Sequence, residues 1–346
     1  MSSQDYQMAC ESGEPLKTYW PFHLAQNLQI LLSAVSIVMV LRHFPLKKSK
    51  GRNLPTIHSN FTILLINGVL IYLIHAFFLL LAGVRMQIKH FFYPECSFTI
   101  VTWKCLVLRS PIFLTIVGIS LLHLFLFLER CLATKYLKHY ASHGAKFGIV
   151  ACIAIWLASV CCNLYIVKDD DLFAYKAYCL QASALNFSKM MQMFYTLLAI
   201  NVFTTIGDLV LLKVNHIQQT RRVFDYNLLK SYQIVENRAA TKLMLKLSLV
   251  HSISFTSYLL ATLTARYMFK NATLEVYVTS IEIVQLLICL NILSTLAIAS
   301  HLKKSIKIRT DISITSISDQ ADAYFNQFAC QLSAAEKVTK NFTSKM

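Results

Sequence analysis

Two opposite charges, Arg109 and Glu282, stand inside long apolar runs of the sequence. Ionisable side chains at membrane depth are costly and by default mark functional sites. Arg109 lies 21 residues before Arg130, about 31 Å along a helix, and Glu282 lies 19 residues before His301, about 28 Å. Because these depths match, the two charges can pair across a cavity that opens outward and binds a ligand. The hypothesis adds four neighbouring side chains to this pocket: Trp103, Tyr195, Tyr258 and Gln285. The alternative is a structural ion pair, or an Arg109 that extends to the membrane surface.

The other ionisable residues of the apolar runs give no catalytic or metal-binding pattern. Asp208 lies a few residues before Lys213, which favours a local ion pair near the membrane surface. His75, His123 and His251 each stand alone, so we expect them to be packing residues rather than metal ligands. The sequence has no glycine-rich phosphate loop, nucleophilic serine elbow or paired carboxylates. We therefore expect no enzyme activity, no metal and no cofactor.

An acid and an arginine, Glu129 and Arg130, close the third apolar run, 25 positions after Cys105 at its beginning. Neighbouring helices can hold such charges in one state and release them in another, as a conformational switch requires. The alternative is a pair of interfacial anchors, which many membrane-spanning helices carry at their ends.

Seven apolar runs position these residues. Hydrophobic residues make up 56% of the 346 positions and charged residues 14%, with a mean hydropathy of +0.52. Each run reaches the ~20 residues that span a bilayer. The runs are Phe22–Phe44, Ile57–Val84, Trp103–Leu128, Phe147–Val167, Met190–Leu212, Leu243–Tyr267 and Leu274–Ser300. The predicted fold class is an all-α membrane protein, a bundle of seven transmembrane helices.

The distribution of lysine and arginine predicts the orientation. With the N-terminus outside, the inner segments hold more than twice as many of these residues as the outer ones, which is the bias of cytoplasmic loops. We therefore predict an extracellular N-terminus over residues 1–21, a seven-transmembrane domain over 22–300 and a cytoplasmic tail over 301–346. This topology accounts for the net charge of +16, so we do not expect nucleic-acid binding.

Four cysteines fall on the predicted outer side, where disulfides persist: Cys10, Cys96, Cys105 and Cys179. They allow three connectivities. We favour Cys105–Cys179, which would tie the top of the third span to the second outer loop and leave Cys10–Cys96 as a second pair. Free thiols in one of the pairs are the alternative.

Four N-x-S/T sequons are candidate glycosylation sites. The topology places Asn186 and Asn271 outside, each within a few residues of a span, and Asn60 and Asn341 inside.

The third inner loop is the longest one. Read as a helix, it places four apolar side chains on one face: Leu228, Leu229, Tyr232 and Val235. Such an amphipathic extension can bind a cytosolic partner or lie along the membrane.

Taken together, these features resemble G-protein-coupled receptors, and more narrowly the nematode serpentine chemoreceptors of the alpha superfamily. The alpha/beta-like class is the most similar. The resemblance rests on Ile57-His58-Ser59-Asn60, Cys105-x-x-x-Arg109, Glu129-Arg130-x-x-Ala133-Thr134 and Tyr232-Gln233-x-x-Glu236-Asn237.

The resemblance implies a chemoreceptor in the plasma membrane of sensory neurons or cilia, with a small-molecule ligand and a heterotrimeric G protein as partners. Cys105 matches the family's outer disulfide position. G-protein coupling and its switch would fall on Glu129, Arg130, Thr134, Tyr232, Gln233, Glu236 and Asn237. The seventh run departs from rhodopsin-like receptors, since Asn291 is not followed by proline. From the residues alone, a transporter, a ligand-gated channel and a receptor-like scaffold without its own ligand are the alternatives.

Overall fold

Long apolar helices make up most of the structure, a computed structural model. It describes residues 3–43, 59–92, 96, 98–136, 144–183, 185–221 and 228–301, without the side chains of residues 218–243. Those ranges contain nine helices. They are α1 (Ser3–Gly13), α2 (Pro15–Thr18), α3 (Trp20–His43), α4 (Ser59–Phe92), α5 (Thr102–Lys135), α6 (Lys146–Val167), α7 (Phe187–Arg221), α8 (Leu228–Met268) and α9 (Leu274–His301).

The predicted seven-helix bundle is confirmed, because α3 to α9 all contain segments long and apolar enough to cross a membrane. The boundaries differ from the predicted ones. Helix α4 continues beyond Val84, α5 continues beyond Leu128, and α8 begins at Leu228 inside the predicted third inner loop. Hydropathy detects only the part of a helix that lies in lipid, whereas the polar turns at each end extend the same helix into water.

The two disulfides and a small sheet lie at one end of the bundle. Strands β1 (Ile100–Val101) and β2 (Tyr175–Lys176) pair antiparallel. Helix α1 packs on β2, where the rings of Tyr6 and Tyr175 meet edge to face at 5.1 Å. We call this the disulfide end, and the opposite end, where α5 carries Arg130, the Arg130 end.

Helix α5 lies at the centre of the bundle. In its most apolar segment 56% of the residues are buried, against 28% in α6 and in α7. It packs against α4, α6, α7 and α8 through buried side chains that include Ile112, Ile116 and Ile119. Because packing and hydrogen bonds, rather than the hydrophobic effect, hold helices together in lipid, close contact with α5 is what assembles the bundle.

Helices α4 and α6 approach each other closely at Gly148. The Gly148 N–H donates a 2.9 Å hydrogen bond to Asn60 Oδ1, and Asn60 is buried. A Cβ at position 148 would lie 2.9 Å from the Asn60 carbonyl oxygen and 3.0 Å from its Cα. These are backbone atoms, so no side-chain rotation can relieve the contact, and only glycine fits.

We expect Gly148→Ala to destabilise the protein by about 1–3 kcal/mol, because the helices must separate and weaken the bond to Asn60. Thermal unfolding of the purified protein in detergent measures the effect. Gly118→Ala is the matched control, since its Cβ would meet only atoms at 3.5 Å or more. Equal melting temperatures for the two variants would contradict this account.

Candidate functional site

A lid formed by the segment between α6 and α7 covers the disulfide end. Cys105 and Cys179 are joined, with Cα atoms 5.3 Å apart, and so are Cys10 and Cys96, at 4.8 Å. The first is the pairing that the sequence favoured, and the second joins the two outer cysteines that this pairing left over. The Thr102 N–H also donates to the Ala174 carbonyl at 2.9 Å, so the lid is fixed to the start of α5 by backbone as well as by sulfur.

Beneath the lid, Arg109 of α5 and Glu282 of α9 form a buried ion pair. The distance from Arg109 Nη2 to Glu282 Oε1 is 2.7 Å, and Arg109 Nε donates to the Cys179 carbonyl at 3.1 Å. The Tyr178 hydroxyl donates to Glu282 Oε1 at 2.8 Å and accepts from Arg109 Nη2 at 3.1 Å. Gln29 of α3 donates to Glu282 Oε2 at 2.9 Å. The pair therefore connects α3, α5, α9 and the lid.

Tyr178 and Gln29 are the members of this cluster that the sequence analysis missed, and Tyr178 is the more informative of the two. Its position next to a predicted disulfide cysteine, Cys179, was the signal that could have found it. Burial and the negative charge of Glu282 raise the pKa of Tyr178 well above its ordinary value. The phenol therefore stays protonated and remains a donor to the carboxylate at any physiological pH.

Two of the other predicted pocket residues lie near the pair. Tyr258 is buried, within electrostatic range of Glu282. Gln285 lies one turn along α9, and its Nε2 is 3.4 Å from His75 Nε2. These residues continue the polar cluster towards the middle of the bundle.

Trp103 and Tyr195 are corrections, because the structure does not bring them to the pair. Their side chains are 45% and 57% exposed on the outside of the bundle. Trp103 is six residues before Arg109, which places it about 240° around α5. Tyr195 follows buried Phe194 and lines a surface depression formed by α7 residues alone.

A second polar cluster lies deeper in the bundle and corrects the interpretation of Asp208. His123 Nε2 is 3.0 Å from Asp208 Oδ2 and 2.7 Å from Ser248 Oγ. Lys213, the predicted partner of Asp208, is exposed. It lies about 140° further around the helix, so the buried face that carries Asp208 turns to α5 and α8 instead.

The three histidines predicted to stand alone all have polar neighbours. His123 contacts Asp208, the His251 ring lies 4.9 Å from the His123 ring, and His75 Nδ1 is 2.9 Å from Thr115 Oγ1. These partners come from other helices or from distant turns, so local sequence could not reveal them. Among the described residues, no group of three histidine, cysteine or acidic side chains is arranged to hold a metal ion.

At the Arg130 end, Glu129 and Arg130 are buried and form an ion pair with each other. The Arg130 guanidinium also lies over the Phe61 ring of α4, 4.6 Å from its centre. Thr134 Oγ1 is 3.1 Å from Asn215 Oδ1 of α7. The arginine is therefore enclosed between α4 and α5 rather than displayed at the surface. Four predicted coupling residues lie in α8, with side chains outside the described part: Tyr232, Gln233, Glu236 and Asn237.

The glycosylation hypothesis for Asn186 is corrected, since this side chain is fully buried. Its Nδ2 donates to Asp170 Oδ2 and to the Gln181 carbonyl, both at 3.1 Å. Asn271 is exposed between α8 and α9, so its sequon stays a prediction. Asn341 lies outside the described residues.

An open cavity of about 620 Å³ lies beside the lid at the disulfide end. It is bounded by the lid, the first turns of α7 and α9, and the α8–α9 connection. Tyr178 lines this cavity, and the same tyrosine holds the buried ion pair. The Tyr178 hydroxyl also accepts a 2.7 Å hydrogen bond from Gln26 of α3, so a molecule in the cavity touches a residue that connects α3, α5 and α9.

Comparison with known proteins identifies the family. The family described as serpentine type 7TM GPCR receptor class ab chemoreceptor matches residues 7–333. The chain belongs to this family. A search of curated proteins finds no match. As a serpentine class ab receptor, the protein is a multi-pass membrane protein of a receptor family, which in general has a ligand and a G protein as partners.

We expect Arg109→Ala to destabilise the receptor by about 3–5 kcal/mol, because it leaves the Glu282 carboxylate buried without its cation. The double variant Arg109→Met with Glu282→Leu should recover most of this loss, since no unpaired charge remains. Thermal unfolding of Arg109→Met, of Glu282→Leu and of the double variant gives the coupling energy of the pair. Strictly additive effects would show that the two charges do not depend on each other.

Proposed function

We propose that the protein is a chemoreceptor of sensory-neuron or ciliary plasma membrane, with the disulfide end outside and the Arg130 end in the cytosol. It binds a small molecule in the cavity beside the lid and activates a heterotrimeric G protein at the Arg130 end. The observation that carries the proposal is the double role of Tyr178, which lines the cavity and bonds to Glu282. Family membership supports the same direction of signalling.

The ligand acts on the ion pair through the lid. A molecule that moves Tyr178 removes a donor from Glu282 and an acceptor from Arg109, so the pair must rearrange. Both charges sit on long helices that continue towards the opposite end. Tyr258 and Gln285 extend the polar contacts inward from Glu282. Arg109 and Glu282 are thus the residues that sense the ligand.

At the other end, helix α5 carries the switch. Arg130 contacts Glu129 and the face of Phe61, and these contacts must be lost before its guanidinium can reach a partner. We place the G-protein contact at Arg130, Thr134 and the amphipathic start of α8, which contains Tyr232, Gln233, Glu236 and Asn237. A bistable buried pair of this kind can transmit a shift of α5 as an all-or-none change.

Removal of the Tyr178 hydroxyl tests whether a ligand in the cavity acts on the ion pair through this residue. A screen of volatile small molecules on cells with a promiscuous G protein supplies an agonist. We expect Tyr178→Phe to shift the half-maximal concentration of that agonist by about tenfold, the effect of one charge-assisted hydrogen bond. Tyr175→Phe is the matched control, because Tyr175 lies in β2 against Tyr6 and does not line the cavity. Equal half-maximal agonist concentrations for the two variants would contradict the proposed action through Tyr178.

Variants of the Arg130 end test coupling without any ligand. We expect Glu129→Gln to raise the basal rate of guanine-nucleotide exchange, because it weakens the ion pair that holds Arg130; a bias of about 1.4 kcal/mol corresponds to about tenfold. Arg130→Ala should abolish ligand-driven exchange while surface expression persists. The assay uses the full-length receptor reconstituted with a purified heterotrimer. A ligand-evoked current in membranes without G proteins would instead indicate a channel.

A further inference from the structure

A second arginine at the disulfide end, Arg266, is buried without a carboxylate partner among the described residues. Its side chain is only 5% exposed, and Nη1 donates to the Tyr277 hydroxyl at 3.2 Å. The guanidinium lies over the Phe194 ring, 5.5 Å from its centre, and Nε has no hydrogen-bond acceptor. The other group within electrostatic range is the Tyr258 phenol. Buried guanidinium groups in proteins are normally paired, so this charge is left uncompensated.

The position of Arg266 within α8 does not remove this imbalance. Arg266 lies in the last turn of the helix, where the helix dipole favours a cation. The dipole contributes far less than the burial of an unpaired charge costs. A buried arginine of α5, Arg109, has a full carboxylate in Glu282. Arg266, in contrast, has no carboxylate to compensate its charge among the described residues.

Arg266 is one hydrogen bond from the cavity beside the lid. Tyr277, which accepts from Arg266, forms part of the cavity wall. Two lysines line the same cavity, Lys176 and Lys270. Lys176 Nζ is buried 3.8 Å from Asp170 Oδ2 and has no hydrogen-bond acceptor. Burial lowers the pKa of Lys176 below its ordinary value, while Asp170 opposes this shift.

In the described part of the chain, the remaining charges around the cavity leave Arg266 and Lys270 without a counter-charge. Asp170 compensates Lys176 at 3.8 Å and also accepts hydrogen bonds from Ser183 and Asn186. Glu275 lies in the first turn of α9 but does not line the cavity. Helices α7 and α9 both begin at the wall, where their N-terminal dipole ends add positive potential. The cavity is therefore electropositive.

The rest of the wall is apolar. Leu180, Phe187 and Leu274 line the cavity together with the rings of Tyr178 and Tyr277. A ligand that fits both parts has one negatively charged group and an apolar body. Simple inorganic anions would leave the apolar part of the wall in contact with water.

From these observations we propose that the cavity binds an organic carboxylate with an apolar body. Arg266, which lies behind Tyr277 in the cavity wall, supplies the counter-charge to the carboxylate. Lys270 attracts the anion at the rim. This inference rests on the proposed receptor function and adds the chemical class of its ligand. A carboxylate that displaces the Tyr277 hydroxyl from Arg266 would give the guanidinium an anionic acceptor in place of a neutral phenol.

Ligand-induced thermal stabilisation of the full-length protein in detergent tests the proposal. The probes are straight-chain carboxylates from acetate to decanoate, phenylacetate and benzoate, each paired with its primary amide, and inorganic phosphate and chloride. We expect the longer or aromatic acids to raise the melting temperature, their amides to have little effect, and the inorganic anions to have none. Equal shifts for acids and amides, or no shift with any acid, would overturn the proposal. So would shifts as large with phosphate or chloride.

Substitution of Arg266 tests whether this residue supplies the counter-charge to the bound acid. We expect Arg266→Met to weaken acid binding by about 10- to 100-fold, and Arg266→Lys to weaken it less. Arg85→Met on α4 is the matched control, because Arg85 is half-buried and does not line the cavity. Full acid binding in Arg266→Met would overturn the assignment.

A rim variant keeps the test decisive if Arg266→Met does not fold. Lys270 is exposed, so Lys270→Gln leaves the fold intact. We expect it to reduce acid affinity by about two- to fivefold at low ionic strength, with the difference lost at high salt. An unchanged affinity at low salt would contradict an electropositive cavity.

G-protein assays separate this inference from the proposed function. If acids bind through Arg266 but no acid changes nucleotide exchange, the ligand class stands and the coupling fails. If neutral molecules alone bind the cavity and drive exchange, the receptor function stands and the carboxylate class is overturned.

Discussion

The disulfide end depends on one buried ion pair. Arg109 and Glu282 come from helices far apart in sequence, and neither charge is tolerable in the apolar interior without the other. Their remaining hydrogen bonds go to Gln29, Tyr178 and the Cys179 carbonyl, so the pair determines where α3 and the lid lie relative to α5 and α9. The Cys105–Cys179 disulfide acts beside it by fixing the lid to the top of α5. Covalent and electrostatic constraints thus hold the same segment.

Polar groups are distributed along the bundle as separate clusters. One lies under the lid, a second surrounds His123 and Asp208, and a third joins Arg130 to Glu129. Helix α5 contributes an ionisable side chain to all three. Because each cluster also contains a side chain from another helix, a change at one end can alter helix contacts at the next. Apolar packing separates the clusters, with Ile116 and Ile119 among the buried residues of α5.

The sequence predicted the seven spans, the family and both cysteine pairings, because apolar length and sparse charge are strong signals in a membrane protein. Pairing of Arg109 with Glu282 was also accessible, since their depths can be counted along helices. The rotational position of a side chain around its helix could not be predicted in this way. Trp103 and Tyr195 were placed near the pair by depth alone, although both point away from the bundle. Asp208 was assigned to its neighbour in sequence, whereas its partner lies on another helix. Contacts between helices depend on packing angles that no local pattern contains.

The cavity wall comes mainly from the lid and from the tips of helices, while the spans below it carry the ion pair. Tyr178 is the side chain that belongs to both. With the function proposed above, this division places ligand specificity and the integrity of the bundle in different parts of the chain. Side chains such as Lys270 and Asn271 line the cavity and are exposed, so they can be exchanged to suit another ligand of the proposed site without disturbing a buried contact. One scaffold can in this way be retuned by a handful of substitutions, which makes the cavity wall a natural target for building biosensors.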